Sequence, residues 1–113
     1  MFSPSLLPDL QHMAAHNDFG RDAELLAASM LEQKGWSIEH RNWRWGHKEI
    51  DLIVRQSNIV AFVEVRARRS RLHGHPLETI TWSKRRDLQT AAQAWINRSG
   101  RRGDVYRFDA IWV

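Results

Sequence analysis

The sequence contains no cysteine, only three prolines and no long apolar run. Without cysteine, disulfides, thiolate catalysis and cysteine-based zinc sites are excluded, so any bound metal must take oxygen or imidazole ligands. No stretch approaches the length of a membrane-spanning helix. The first nine residues lack the basic and apolar segments of a signal peptide, so we expect a cytoplasmic protein with no membrane partner.

A chain of 113 residues is long enough for one hydrophobic core and too short for two. Residues 1–17 include two prolines and show little periodicity, which predicts a flexible N-terminal arm. Residues 18–113 are predicted to form a single domain. We expect this domain to fold alone or as a homodimer.

Positive charge is in excess along the chain. The formal net charge is +4, the sequence pI is near 10.3, and all but three of the 17 basic residues are arginine. Because arginine makes planar, bidentate contacts with phosphate, this composition favours a nucleic-acid partner, with DNA preferred over RNA. The alternative is that the charge only keeps the protein soluble.

Apolar periodicity predicts two helices and four strands. The first helix should run from residue 17 or 18 to Lys34, with Gly35 ending it, and the second from Ser83 to Ser99. Strands are predicted at 36–43, 49–54, 59–65 and 105–113. The predicted fold is α/β in the order α-β-β-β-α-β, with a mixed sheet flanked by helices. The predicted apolar stripe of the first helix is Ala23, Leu26, Ala27, Met30 and Leu31.

The second and third strands are joined by a short polar turn. If Ser57 and Asn58 form a two-residue loop, the numbers of opposed residues sum to 115, and Asp51 lies across from Glu64. Two opposed carboxylates repel each other, so they need a raised pKa, a basic partner or a bound cation. The pair is therefore a candidate metal site.

Alternation along each strand places Glu49 beside Asp51 on one face, and Glu64 beside Arg66. Carboxylate ligands completed by water suit Mg²⁺ or Mn²⁺. Glu24, the acid near the apolar side of the first helix, could add a metal or water ligand, or it could be an ordinary solvated glutamate. The alternative for the whole patch is a structural network of ion pairs.

Basic residues cluster on both sides of this patch and would steer a polyanion towards it. Tryptophans also alternate with arginines at the end of the first predicted strand, where Trp43 and Trp45 could stack on unpaired bases, although a core position suits most of the six tryptophans. The candidate nucleic-acid-binding residues are Arg44 just after that strand, Arg66, Arg68, Arg69 and Arg71 after the third, and Lys84 and Arg85 at the start of the second helix.

Seven short motifs occur in a fixed order along residues 19–113. They are Gly20 with Glu24, Arg41-Asn42-Trp43-Arg44, Glu49-Ile50-Asp51-Leu52-Ile53, Phe62-Val63-Glu64-Val65-Arg66, Pro76-Leu77-Glu78, Ser83-Lys84 and Arg107-Phe108-Asp109. Together they resemble the YraN family of small bacterial proteins. This resemblance implies a restriction-endonuclease-like fold, similar to Holliday junction resolvases and PD-(D/E)XK nucleases.

The resemblance also implies roles for individual residues. Glu24, Asp51 and Glu64 match the acidic metal-binding positions, and Lys84 matches a further basic position. Arg66 occupies the position of the usual catalytic lysine. Because arginine stays protonated, Arg66 can stabilise negative charge but cannot act as a general base.

Two functions follow as hypotheses. The first is a Mg²⁺- or Mn²⁺-dependent endonuclease acting on DNA, including branched DNA, in which Glu24, Asp51, Glu64 and Arg66 are catalytic. The second is a non-catalytic nucleic-acid-binding or accessory module that keeps the nuclease fold, with Arg66 as the sign of lost hydrolysis.

Overall fold

A computed structural model describes residues 19–67 and 82–113. Its elements are α1 (Phe19–Gln33), β1 (Ser37–Trp45), β2 (Lys48–Gln56), β3 (Ile59–Arg66), α2 (Trp82–Ser99) and β4 (Val105–Trp112). The predicted order α-β-β-β-α-β is confirmed and is consistent with a restriction-endonuclease-like core. The predicted N-terminal arm and three of the candidate arginines, Arg68, Arg69 and Arg71, lie outside the described residues.

The four strands form one mixed sheet in the order β1-β2-β3-β4. The first three make an antiparallel meander, and β4 runs parallel to β3. A parallel neighbour requires a crossover connection, and α2 lies in that connection. The two middle strands are covered by helices, and this explains why the apolar residues of β2 and β3 are buried or half-buried.

The β2–β3 hairpin has the predicted register. Pairs from Gln56 with Ile59 to Leu52 with Val63 all sum to 115, and Ser57 in the turn has a positive φ of 58°. The ladder ends at the Leu52–Val63 pair, one position before Asp51 and Glu64. The acidic pair therefore lies where the two strands stop pairing.

Helix α1 covers one face of the sheet with small side chains. Ala27 and Ala28 pack with Leu52 and Val54 of β2 and with Ala61 and Val63 of β3. Alanine lets the helix approach the sheet closely. The predicted stripe was wrong at Met30, which is 44% exposed, because the buried stripe passes through Ala28 instead.

Helix α2 covers the opposite face with a larger aromatic cluster. Trp95 is 1% exposed and meets Phe62 edge to face at 5.8 Å between ring centroids. Its indole Nε1 donates a hydrogen bond to His40 Nδ1 at 3.1 Å. Trp43 belongs to the same cluster and is only 8% exposed, so the idea that it stacks on bases is corrected to a core role.

Glycines end both helices as the sequence indicated. Gly35 has φ of +94°, and after it the Trp36 N–H donates to the Leu31 carbonyl at 3.0 Å, which closes the last turn of α1. At the end of α2 the Gly100 N–H donates to the Ile96 carbonyl at 2.8 Å.

A buried arginine ties β4 to the hairpin at the sheet end that carries the Ser57–Asn58 turn. Arg55 donates from Nη1 to Asp104 Oδ1 at 2.7 Å and from Nη2 to Oδ2 at 3.0 Å, and its Nε reaches Glu39. Tyr106 also donates its hydroxyl hydrogen to Asp104. This network was not predicted, because its members are distant in sequence.

Of the helices in the described ranges, neither is long and apolar enough to cross a membrane.

Candidate metal and nucleic-acid site

The acidic pair lies at the point where β2 and β3 separate. Beyond the last ladder pair, the Val65 N–H donates a hydrogen bond to Asp51 Oδ2 at 2.8 Å. A side-chain oxygen of β2 therefore accepts this bond in place of a backbone carbonyl. This bond holds the Asp51 carboxylate against the β3 backbone. Burial raises the pKa of Asp51, and the hydrogen bond from Val65 is the largest influence that opposes the rise.

Glu64 is more deeply buried than Asp51, with 7% of its surface exposed. Burial raises the pKa of Glu64, and the negative charge of Asp51 raises it further. Its Oε2 atom is buried and has no hydrogen-bond partner. A buried carboxylate oxygen without a donor is costly and calls for a cation or a proton.

Helix α1 brings a third acid into the same electrostatic group. Burial is the largest cause of the raised pKa of Glu24, and the negative charge of Asp51 is the next. A hydrogen bond with the Asn42 side chain lowers the pKa of Glu24. Asn42 has a positive φ of 50° within β1, a conformation that asparagine tolerates better than most residues. Glu49 and Glu64 also raise the pKa of Glu24, so the charges of these acids act on one another.

Two cations flank Glu64. Lys84 Nζ on the first turn of α2 lies 3.5 Å from Glu64 Oε1, and Arg66 Nε lies 4.0 Å from the same oxygen. Both lower the pKa of Glu64, Lys84 more than Arg66. The Arg66 Nε is buried and has no hydrogen-bond partner. This edge of the site is therefore suited to negative charge.

The remaining candidates are placed around this centre. Arg44 is exposed and pairs with Glu49 at 3.8 Å, so part of its charge is already balanced within the protein. Arg85 follows Lys84 on α2 and is exposed, and both residues make further interactions. Trp45 is 43% exposed and remains a candidate for stacking.

The donor set is limited to hard oxygen ligands. Among residues 19–67 and 82–113, no three histidine, aspartate or glutamate side chains stand close enough to form a complete ligand group. Asp51 and Glu64 nevertheless provide two carboxylates whose combined charge is disfavoured by burial. That chemistry fits a hydrated Mg²⁺ or Mn²⁺ ion, which keeps several water ligands.

Sequence reasoning missed two contacts that shape the site. It treated Lys84 as part of a phosphate-binding helix terminus, whereas Lys84 reaches Glu64 across 20 residues of chain. It also assigned no role to Asn42, although its side chain holds Glu24. The sequence contained one signal for this role of Lys84. A positive charge in the first turn of a helix interacts unfavourably with the helix dipole, so such a residue indicates an acidic partner elsewhere.

Comparison with known proteins identifies the family of the chain. A profile described as "Uncharacterised protein family UPF0102" matches residues 23–113. A UPF0102 protein of Chloroherpeton thalassium is 46% identical over 95 residues, which cover 84% of this chain and 74% of that protein. A UPF0102 protein of Rhodococcus jostii is 41% identical over 100 residues, covering 88% and 85% of the two chains. The chain therefore belongs to the UPF0102 family, which is the YraN family.

Proposed function

We propose that this protein is a Mg²⁺- or Mn²⁺-dependent endonuclease that hydrolyses DNA phosphodiesters, branched DNA among them. One observation supports this most strongly. Asp51 and Glu64 lie together at the end of the hairpin ladder with raised pKa values, and two cations lie within 4.0 Å of Glu64 Oε1. Metal-dependent phosphodiester hydrolysis needs carboxylates that hold the metal next to cationic groups that bind the phosphate.

Asp51 and Glu64 would hold the ion, and Glu24 would assist through a water ligand. The unpartnered Glu64 Oε2 supports this assignment because a cation would satisfy it. When bound, a divalent ion polarises the phosphodiester and lowers the pKa of an attacking water. Val65 fixes the position of Asp51 through its backbone N–H.

Arg66 and Lys84 would bind the phosphate and the negative charge that develops on it. Arg66 stays protonated throughout, so it acts only by its charge and its hydrogen-bond donors. Lys84 is a compact cation on a flexible stem, placed 3.5 Å from the acid that would hold the metal. In the nucleases that this family resembles, one lysine stands at the position of Arg66. Here Arg66 and Lys84 would together supply the positive charge of that lysine.

A cleavage assay tests the proposal. Labelled junction, flap, single-stranded and duplex DNAs are incubated with Mn²⁺ and wild type, Asp51→Ala or Glu64→Ala. We expect wild type to cut at least one substrate and both variants to lose that activity by roughly 100-fold or more. Asp109→Ala, which removes a β4 acid paired with Arg107, is the matched control and should cut normally. Equal cutting by all four proteins would refute the catalytic assignment.

A non-catalytic nucleic-acid-binding or accessory module is the second candidate. The observation in its favour is that Lys84 and Arg66 already offset part of the charge of Glu64 without any metal. This candidate predicts salt-dependent DNA binding in EDTA and no cleavage by wild type. Cleavage that first appears in Arg66→Lys would show that the site retains the other requirements for hydrolysis, and would count against a purely accessory role.

A further inference from the structure

Trp45 extends the aromatic cluster of the core to the solvent-exposed surface. Its ring lies parallel to that of Trp43, with an interplanar angle of 1° and 6.2 Å between centroids. Trp43 is 8% exposed, whereas Trp45, at the end of β1, is 43% exposed. The buried ring fixes the orientation of the exposed one, so Trp45 is a rigid aromatic platform rather than a loose side chain.

A groove of about 700 Å³ runs between Trp45 and helix α2. Its helical wall is formed mainly by polar side chains, including Gln89, Gln93 and Asn97, and by Arg98. The Arg98 guanidinium carbon lies 6.0 Å from the centre of the Trp45 ring. Gln93 Nε2 donates to Asn97 Oδ1 at 2.9 Å, so these amides are held in order along the wall.

The composition of the groove selects one class of ligand. An aliphatic ligand would leave the amide wall unsatisfied, and a bare phosphate would make no use of the indole. A nucleotide of a single strand uses all three parts, because its base stacks on an aromatic ring and hydrogen-bonds to amides through its edge, and its phosphate pairs with the arginine. Among the described residues that line the groove, none is acidic, so its charge complements a nucleic-acid strand.

The groove lies near the acidic pair. Trp45 is paired with Lys48 in the β1–β2 ladder, and Lys48 precedes Asp51 by three residues, roughly 10 Å along the strand. On the helix, Gln89 follows Lys84 by five residues, roughly 7 to 8 Å of axial rise. A strand that reaches Lys84 and Glu64 can therefore extend into the groove within a short distance.

We propose that the groove between Trp45 and α2 binds an unpaired base of the DNA strand, stacked on Trp45 and held by Arg98. This inference rests on the proposed function for its substrate and narrows it to DNA with a single-stranded segment. Duplex DNA keeps its bases stacked inside the helix, so it cannot offer a base to Trp45. The site thus selects flaps, gaps or junction arms over plain duplex.

Binding measured in EDTA tests this inference without any hydrolysis. A fluorescein-labelled oligothymidylate and a duplex of equal length are titrated with wild type, Trp45→Leu and Trp45→Phe, and binding is followed by anisotropy. Leucine keeps an apolar cover over Trp43 but removes the stacking surface. We expect Trp45→Leu to lose roughly 5- to 100-fold in affinity for the oligothymidylate, with the duplex affected little and Trp45→Phe keeping most of the affinity.

Two further variants separate a local effect from a folding defect. Phe108→Leu removes an aromatic ring of similar exposure, 48%, on β4 at the other edge of the sheet, and should bind like wild type. Arg98→Ala changes the groove without touching a strand, and should weaken oligothymidylate binding more than duplex binding. Either Trp45→Leu binding the oligothymidylate like wild type, or equal losses on both DNAs, would overturn the inference.

The outcomes also separate this inference from the proposed function. If wild type cleaves DNA in Mn²⁺ while Trp45→Leu and Arg98→Ala bind single strands normally, only the groove assignment fails. If wild type binds neither DNA at low salt, the groove assignment and the nuclease proposal fail together.

Discussion

Glu64 is poorly accommodated by its surroundings in the folded protein. It is buried, faces the charge of Asp51 and leaves one carboxylate oxygen without a partner. Two nearby cations offset this only in part, because the pKa of Glu64 is still raised. Residues kept at a cost to stability are typical of functional sites.

Replacing Glu64 by glutamine should therefore stabilise the metal-free protein at neutral pH. Because the pKa of Glu64 is raised above 4.5, the folded state holds its proton more tightly than the unfolded state. The ionised form of Glu64 thus lowers stability as pH rises from about 4.5 through the raised pKa. The urea midpoint of Glu64→Gln should exceed that of wild type at pH 7 and match it near pH 4. A lower midpoint at pH 7 would contradict this reading of Glu64.

Lys84 should be the main cation that keeps Glu64 ionised. It lies closer to Glu64 Oε1 than Arg66 does, and it has the larger effect on the pKa of Glu64. Lys84→Ala should therefore raise the pKa of Glu64 further, as measured by carboxyl ¹³C NMR titration. Arg86→Ala, on the same turn and exposed, serves as the control. An unchanged Glu64 titration in Lys84→Ala would exclude this role.

At the scale of the elements, the end of α1 depends on a residue that can adopt a positive φ. Gly35 has φ of +94°, and a methyl group there would come within 2.8 Å of Gln56 Nε2. Gln56 in turn donates to the Lys34 carbonyl at 3.1 Å, so β2 helps to cap the helix.

Gly35→Ala should lower the free energy of unfolding by more than about 1 kcal/mol, which is the cost of holding a residue other than glycine in the left-handed conformation. Gly46→Ala is the matched control, because Gly46 has φ of +64° but open space around it. Chemical denaturation should show that the Gly35 variant is the less stable of the two. Equal losses would mean that the Gln56 contact relaxes at no cost.

The Arg55 network fixes the connection before β4 to the hairpin. Arg55→Met should destabilise the protein, because it leaves the carboxylates of Asp104 and Glu39 without their shared hydrogen-bond donor. The Arg55 guanidinium holds the pKa of Asp104 well below its usual range, so this stability is present above about pH 4 and is lost as the pH falls through the folded-state pKa. Acid unfolding of wild type should therefore be steeper than that of Arg55→Met, and equal acid curves would contradict the assignment.

For the whole molecule, the net charge of +4 supports binding to a polyanion. We expect the DNA affinity of wild type to fall linearly with salt on a logarithmic plot, and Lys84→Ala to reduce the slope by about 1. Binding isotherms at several NaCl concentrations measure both slopes. A slope identical to that of wild type would remove Lys84 from the phosphate-binding residues.

The sequence was a good guide to local structure and a poor one to distant contacts. The Ser57–Asn58 turn determined the register of β2 and β3, because alternation and a two-residue loop leave few choices. Trp43 was misjudged because its alternation with arginines resembles a surface pattern, whereas its side chain packs into the cluster that α2 covers. The approach of Lys84 to Glu64 depends on how α2 crosses the sheet, which periodicity alone does not specify.

The central claim is that Asp51 and Glu64 form a site for a divalent cation. Calorimetric titration with Mn²⁺ of wild type, Asp51→Asn and Asp109→Asn tests it most directly, since it needs no substrate. Asp109 is an acid of β4 that already pairs with Arg107 at 3.0 Å, so its loss should leave the site intact. The account predicts Mn²⁺ binding to wild type and Asp109→Asn and its loss in Asp51→Asn. Equal Mn²⁺ binding by all three proteins, or none by wild type, would contradict it.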